Sequence, residues 1–325
     1  MTAAVRDLHR NYPKTYLTDV DTAAPDIWES NPFITTFGPN DGQVVDLIDE
    51  NRQYNHKDLK SVWAAGKIPR VRLNYTAINR CNTSPTHFTE AFTEDLERLL
   101  KIRIFDRLGT PDIHLSLDET SWMSQVHESV GRDINYWVVV NGGKYDYTAK
   151  WWDPHRMQQV VSHMKHINFV QCGENAHFHH QLVGSNVINL IGKTDMRQFI
   201  RLIYHSSGVV CPVTLAMHLA AGVPVRYEKC YGRHVRPCVV IAGGREPMRW
   251  EAYNNHAYLH MCGRLTCCQG GACWKSRVVK LGDSEEHDRS LCEFPEVTEN
   301  NTIIPKCLKM ITVDDVVRAI QSYIQ

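Results

Sequence analysis

The apolar pattern of the 325-residue chain changes period several times. From Met1 to Arg10, Ala3, Ala4, Val5 and Leu8 form a helical stripe with no strand ahead of it. Residues 15–22 (TYLTDVDT) alternate as a strand does, and PDIWESNPFI predicts a short helix ended by Asn31-Pro32. Phe88, Ala91, Phe92, Leu96, Leu99 and Leu100 recur at helical spacing and predict a helix over 85–100. A polar stretch, 107–133, leads to a regular second pattern. YWVVVNGG (136–143) is an apolar strand running into a Gly-Gly turn. A helix over 154–164, strands over 167–173 and 186–192, a helix over 195–204, a strand over 208–212, a helix over 215–221 and a strand over 237–244 follow. Strands alternating with helices at this spacing predict an α/β fold with a doubly wound parallel sheet. After Trp250 the alternation is expected to stop. The last element, 311–324, reads as a helix with Thr312 as N-cap and Asp314 and Asp315 in its first turn.

Length and charge narrow the classes. The chain is long enough for two domains with separate cores. Its 36 basic and 36 acidic residues give a formal charge of zero, which argues against nucleic-acid or anionic-membrane binding by net charge and against a zinc-ribbon DNA binder. No apolar run approaches the roughly 20 residues that span a bilayer, and no signal peptide is evident, so the expected location is the cytoplasm.

Ligands of an open α/β sheet lie at the carboxyl ends of its strands, where loops present N–H groups and helix N-termini to anions. Four loops fit. Gly142, Gly143, Lys144 and Lys150 follow the strand at 136; Lys193 and Thr194 precede a helix beginning with Asp195; Val213 and Thr214 lead into a helix bearing His218; and Gly243, Gly244 and Arg245 leave the strand at 237. Together they suggest a nucleotide or nucleotide-sugar site. Each also has a plainer reading: Gly192-Lys193-Thr194 lacks the first glycine of a GxxxxGK[ST] loop, glycines after strands are usually turns, His218 fits a core position, and Trp151 and Trp152 fit a cover for the sheet.

The run from AKWW, through a Gly-Glu after the next strand, to NLIGKTDMRQFIRLIYHSSGVVCPVTLAMHLAA resembles the donor half of glycosyltransferase family 9, the ADP-heptose heptosyltransferase group. TAAVRDLHRNYP, DIWESNP and SPTHF resemble its acceptor half more weakly. The resemblance implies a GT-B architecture of two Rossmann-like domains, here an acceptor-side domain over 1–133 and a donor domain over 134–325. It implies transfer of a sugar from a nucleoside diphosphate to an acceptor hydroxyl with inversion. Lys150 would then meet the donor phosphate or the developing charge, Glu174 the ribose hydroxyls, and Thr194, Thr214 and the N–H groups around Ala216, Met217 and His218 the diphosphate. The turn before His218 reads CPVTLAMH where the family carries Asp or Ser. The family's opening strand, whose Gly-Asp loop supplies the base, is expected to be missing, which leaves His87 and Asp7 as candidates for that role. A protein that has lost the base and only binds the nucleotide sugar is the alternative. Lipopolysaccharide core, a protein hydroxyl or a modified DNA base would each suit as acceptor, and an oligomer is compatible with the sequence.

Six of the 11 cysteines lie from Cys262 onward. Clustered thiols on glycine turns read as a metal site, as disulfide staples or as buried thiols. The segment 258–307 resembles the iron-binding cysteine finger of heptosyltransferases that modify bacterial autotransporters. That resemblance implies a structural zinc or iron site of Cys268, Cys273, Cys292 and Cys307, with Cys267 as the alternative to Cys268.

Overall fold

A computed structural model describes residues 1–47, 58–73, 81–283 and 286–324. The chain forms two compact units, Met1–His114 and Leu115–Gln325.

In the first unit, helix α1 (Thr2–Asn11) buries the stripe read from the sequence. Its Ala4 and Leu8 form one cluster with Phe92 and Leu96, which lie on a helix spanning Phe88–Leu100, and with Ile104. Asp7 is buried against Arg6 at 2.9 Å, and Arg6 also donates to Thr110 O. Burial pushes the Asp7 carboxyl up, and Arg6 Nε donates to its Oδ1. His87 caps the Phe88–Leu100 helix: its Nδ1 accepts from the Thr89 N–H at 3.3 Å. Strands β1 (Val44–Asp46) and β2 (Ile68–Arg70) pair in parallel. Residues 15–22 are not a strand. They keep the alternating exposure that suggested one, but no ladder forms, and Thr18 O instead accepts from the Thr35 N–H. The expected helix at PDIWESNPFI is a single 3-10 turn, Pro25–Trp28.

The second unit is built on a six-stranded parallel sheet. Its strands are β3 (Tyr136–Val139), β5 (Asn168–Gln171), β7 (Val187–Asn189), β8 (Gly208–Pro212), β9 (Cys238–Gly243) and β10 (His256–His260), in the order β10-β9-β8-β3-β5-β7. A two-stranded antiparallel ribbon, β4 (Gly142–Gly143) with β6 (Phe178–His179), extends beyond the end of β3. The alternation therefore does not stop at Trp250. Strand β10 adds a parallel edge to β9, paired from His256↔Cys238 onward.

Trp137, Val139, Phe169, Val210, Val239 and Ile241 share one cluster with Met157, Val160 and Val161 of the helix Pro154–His163 and with Val316 and Ile320 of the helix Val313–Ile324. The opposite parity, Val138, Val170, Val209 and Val240, is fully buried as well. Both faces are therefore covered, which is why these strands read as continuous apolar runs. Gly208 is fitted to this core: a Cβ there would lie 2.6 Å from the indole of Trp137. Gly208→Ala is expected to cost about 1–3 kcal/mol by overpacking, measured by chemical denaturation.

The sequence places the domain boundary near 133, whereas the units divide at 114/115. Residues after Leu115 are held to the second unit by side chains: Glu119 accepts two bonds from Arg197, at 2.8 and 2.6 Å, and Gln125 donates to Gln198 O. Among the described residues no helix is long and apolar enough to cross a membrane.

Candidate functional site

A cleft of 460 Å³ opens in the second unit at the carboxyl ends of β3, β5 and β8. Its walls come from the segment 140–151, from Gly173, Glu174, His177 and His179 after β5, and from the starts of two helices, Met196–Tyr204 and Leu215–Gly222. Gly142 must be glycine: at φ 140° its backbone pairs so closely with β6 that a Cβ would lie 1.8 Å from Phe178 O. That contact aligns the ribbon and brings Phe178 onto Trp151, stacked at 4.7 Å and 16°. Tyr145 meets the same indole edge-on at 5.4 Å. The aromatic wall so formed carries the buried Trp151 Nε1, which has no hydrogen-bond partner among the described residues.

Opposite polar groups complete the cleft. Lys150 Nζ donates to Val213 O at 3.3 Å and pairs with Glu246 at 2.8 Å. Asp195 caps the Met196–Tyr204 helix by accepting from the Gln198 N–H. Thr214 stands at the N-cap of Leu215–Gly222 but makes no capping bond, and its buried Oγ1 has no partner among the described residues. A helix N-terminus with an uncommitted hydroxyl is an anion-binding arrangement. Glu174 is exposed and pairs with His177 at 3.3 Å. Burial and the neighbouring His177 push the His179 imidazole down, so it is neutral at pH 7.

Of the residues singled out in the sequence, Gly142, Gly143, Lys144, Lys150, Glu174, Thr194 and Thr214 line this one cleft. Three others do not. Lys193 is exposed and its ammonium donates to Asn189 O; Met217 is fully buried in the core; His218 lies 3.0 Å through Nδ1 from the Tyr253 hydroxyl. Sequence reading missed Tyr147, Trp151, His177, His179 and Phe199 as lining residues. The signal for part of this set was the aromatic and histidine run His177 to His180, directly after the Gly-Glu pair.

The cysteine segment does not take the expected form. Among the described residues no group of three or more His, Cys, Asp or Glu side chains is disposed to hold a metal ion. Cys268 is turned into the backbone: its thiol lies 3.3 Å from Leu265 O and 3.6 Å from Met261 O, and it accepts from the Gly263 N–H. Cys267, Cys273, Cys292 and Cys307 instead line a space of 10 Å³ beside Arg245 and Ala149. Burial and neighbouring thiols push Cys267 and Cys307 up to about 12, so both are protonated at neutral pH. The segment is stitched to the cleft wall. Ala149 N–H donates to Ser276 O, Val278 N–H to Thr148 Oγ1, and the buried Arg277 to Tyr145 O and to Asp283 and Asp288.

No protein-family model and no curated protein matches the sequence. Among solved structures, the glycosyl transferase family 9 protein from Veillonella parvula DSM 2008 is similar over 99% of this chain and 92% of its own, at 14% identity and a TM-score of 0.62. The chain has the glycosyltransferase family 9 fold. The E. coli ADP-heptose lps heptosyltransferase II is also similar, over 99% of this chain and 93% of its own, at 14% identity and a TM-score of 0.56. In this family 9 fold the 460 Å³ cleft lies wholly within the second unit, at the strand ends where open α/β sheets bind ligands.

Proposed function

We propose that the chain is a glycosyltransferase that holds a nucleoside diphosphate sugar in the second-unit cleft and transfers the sugar to an acceptor hydroxyl with inversion. The observation that carries this reading is the convergence, on one cleft, of Lys144, Lys150, the uncapped Thr214 helix start and the aromatic side chains Tyr147, Trp151 and Phe199. A departing nucleoside diphosphate gathers negative charge, and oriented cations and helix N–H groups stabilise it without any reorganisation during the step. The aromatic wall suits the base or the apolar face of the sugar. ADP-heptose is the first donor to test, since one protein of this fold is named for it.

Titration with ADP, followed by incubation with ADP-heptose and acceptors bearing sugar, protein or nucleic-acid hydroxyls, separates the outcomes. ADP binding with sugar transfer supports the enzyme. ADP binding without transfer to any acceptor moves the chain to the non-catalytic binding alternative. Absence of ADP binding removes the nucleotide reading.

The zinc or iron site is a proposal that rests on the donor chemistry alone: Cys267, Cys273, Cys292 and Cys307 would have to close on the space they share. Thiolates hold zinc or iron well, and four of them leave no open position, so such a site would brace the segment. Metal analysis of the purified protein tests it. One equivalent, lost in Cys273→Ser together with thermal stability, is the expected result; folded protein without metal removes the site.

A further inference from the structure

Behind the cleft, Lys150 joins a charge cluster whose other members, Glu246 and Arg245, the nucleotide reading leaves unused. Glu246 follows Arg245 in the turn that leaves β9, and its side chain is 5% exposed. One oxygen, Oε1, receives both the Lys150 ammonium, at 2.8 Å, and the Arg245 guanidinium. Arg245 is itself fixed: its Nε donates to Lys275 O at 2.6 Å, and the guanidinium lies 5.0 Å from the Tyr147 ring and 5.8 Å from the Trp274 ring. Lys150 Nζ lies 5.5 Å from the centroid of the same Tyr147 ring and reaches Val213 O directly before Thr214. The ammonium is thereby pinned between the β9 turn and the first turn of the Leu215–Gly222 helix. Glu251 stands beside the group. Burial and the Glu246 charge push its carboxyl up, toward the neutral form. Lys150 and Arg245 thus meet on one carboxylate oxygen.

We propose that Glu246 is a positioning residue: it holds the Lys150 ammonium against the start of the Leu215–Gly222 helix, where the donor diphosphate is read to bind. This rests on the reading of Lys150 as a donor contact. A lysine on a four-carbon stem has many rotamers, and fixing one of them before the ligand arrives removes an ordering cost from binding.

The proposal and its plainest rival predict effects of opposite sign. If Glu246 merely neutralises Lys150, Glu246→Gln raises the local positive charge and tightens ADP binding. If it positions the ammonium, the same change loosens ADP although the charge has become more favourable. ADP affinity is measured by titration calorimetry at pH 7 for the parent, Lys150→Ala, Glu246→Gln, Glu246→Asp and the Lys150→Ala/Glu246→Gln double variant. Expected is a loss on the order of tenfold in Glu246→Gln, the worth of one charge-assisted hydrogen bond. Glu246→Asp should recover part of it, and Glu246→Gln should add nothing once Lys150 is alanine. Tighter or unchanged ADP binding in Glu246→Gln, or an equal loss in both backgrounds, overturns the proposal. If Lys150→Ala itself leaves ADP affinity unchanged, the donor reading of Lys150 falls first and the positioning role falls with it. Should the Gln variant not fold, Glu246→Asp decides on the same terms: a loss that disappears in the Lys150→Ala background supports the role, and parental affinity overturns it.

Discussion

Lys150→Ala is expected to weaken ADP binding by about 10- to 100-fold, the range given by a charge-assisted hydrogen bond to phosphate of roughly 1.5–3 kcal/mol. Two effects act in the same direction. The variant loses the cation, and it leaves Glu246 shared only with Arg245, so that the balance of charge behind the cleft shifts toward the carboxylate. The lysine side chain is 22% exposed, so the interaction is only partly screened by salt. Thermal melts give an independent measure. In the parent, ADP at 100 times its dissociation constant should stabilise the fold by about 2.7 kcal/mol, and the variant at that same concentration should keep about 1.4 kcal/mol after a tenfold loss and about 0.4 after a hundredfold one. The ligand-free melting temperature should fall moderately, because the buried Glu246 keeps Arg245 as its remaining cation. Parental affinity in the variant would place the anion elsewhere and remove Lys150 from the site.

Much of the sheet is legible because β3, β5, β8 and β9 are buried on both faces and so read as unbroken apolar runs. Strand β10 escapes because its apolar run, Ala257-Tyr258-Leu259, is only three residues long and is flanked by His256 and His260 at a sheet edge. Residues 15–22 mislead for the converse reason. Alternation records that one side of an extended segment faces the protein, and it does not say that a neighbouring strand exists to pair with.

In the site, Gly142, Gly143, Lys144 and Lys150 after β3 are legible because those loop positions face the cleft, whereas Lys193, after β7, turns back to Asn189 O. Further errors come one turn into the helix. Thr214 at the N-cap faces the cleft, whereas Met217 and His218 have rotated away from it, the first into the core and the second toward Tyr253. The adjacent tryptophans divide in the same way: Trp151 joins the aromatic wall, while Trp152 is buried with its Nε1 donating to Ile311 O. The Glu246 partnership with Lys150 has no local signature at all. It joins the turn after β9 to the segment after β3, two loops that become neighbours only when the sheet assembles, with β8 between those strands.

Arg236→Met is expected to destabilise the fold by about 3–5 kcal/mol, a large share of the 5–15 kcal/mol that a domain commands. Arg236 is 2% exposed and donates to four backbone carbonyls: Ala220 O and Val223 O through Nη1, Tyr204 O and Pro224 O through Nη2. These oxygens terminate the helices Met196–Tyr204 and Leu215–Gly222, whose last carbonyls have no donor within their own helices. A cation there also opposes the negative ends of both helix dipoles. Methionine matches the stem but offers no donor, so Ala220 O and Val223 O are left buried and unpaired, while Tyr204 O and Pro224 O lose a partner nearer the surface. Arg236→Lys keeps the charge yet cannot reach all four carbonyls, and should fall between the two. The consequence extends to the cleft, because the opposite ends of the same helices carry Asp195 and Thr214. Denaturation followed by tryptophan fluorescence, together with ADP titration at a temperature where both proteins are folded, should show stability and affinity falling together. A Met variant as stable as the parent would mean that other donors satisfy these carbonyls and that the helix ends hold themselves.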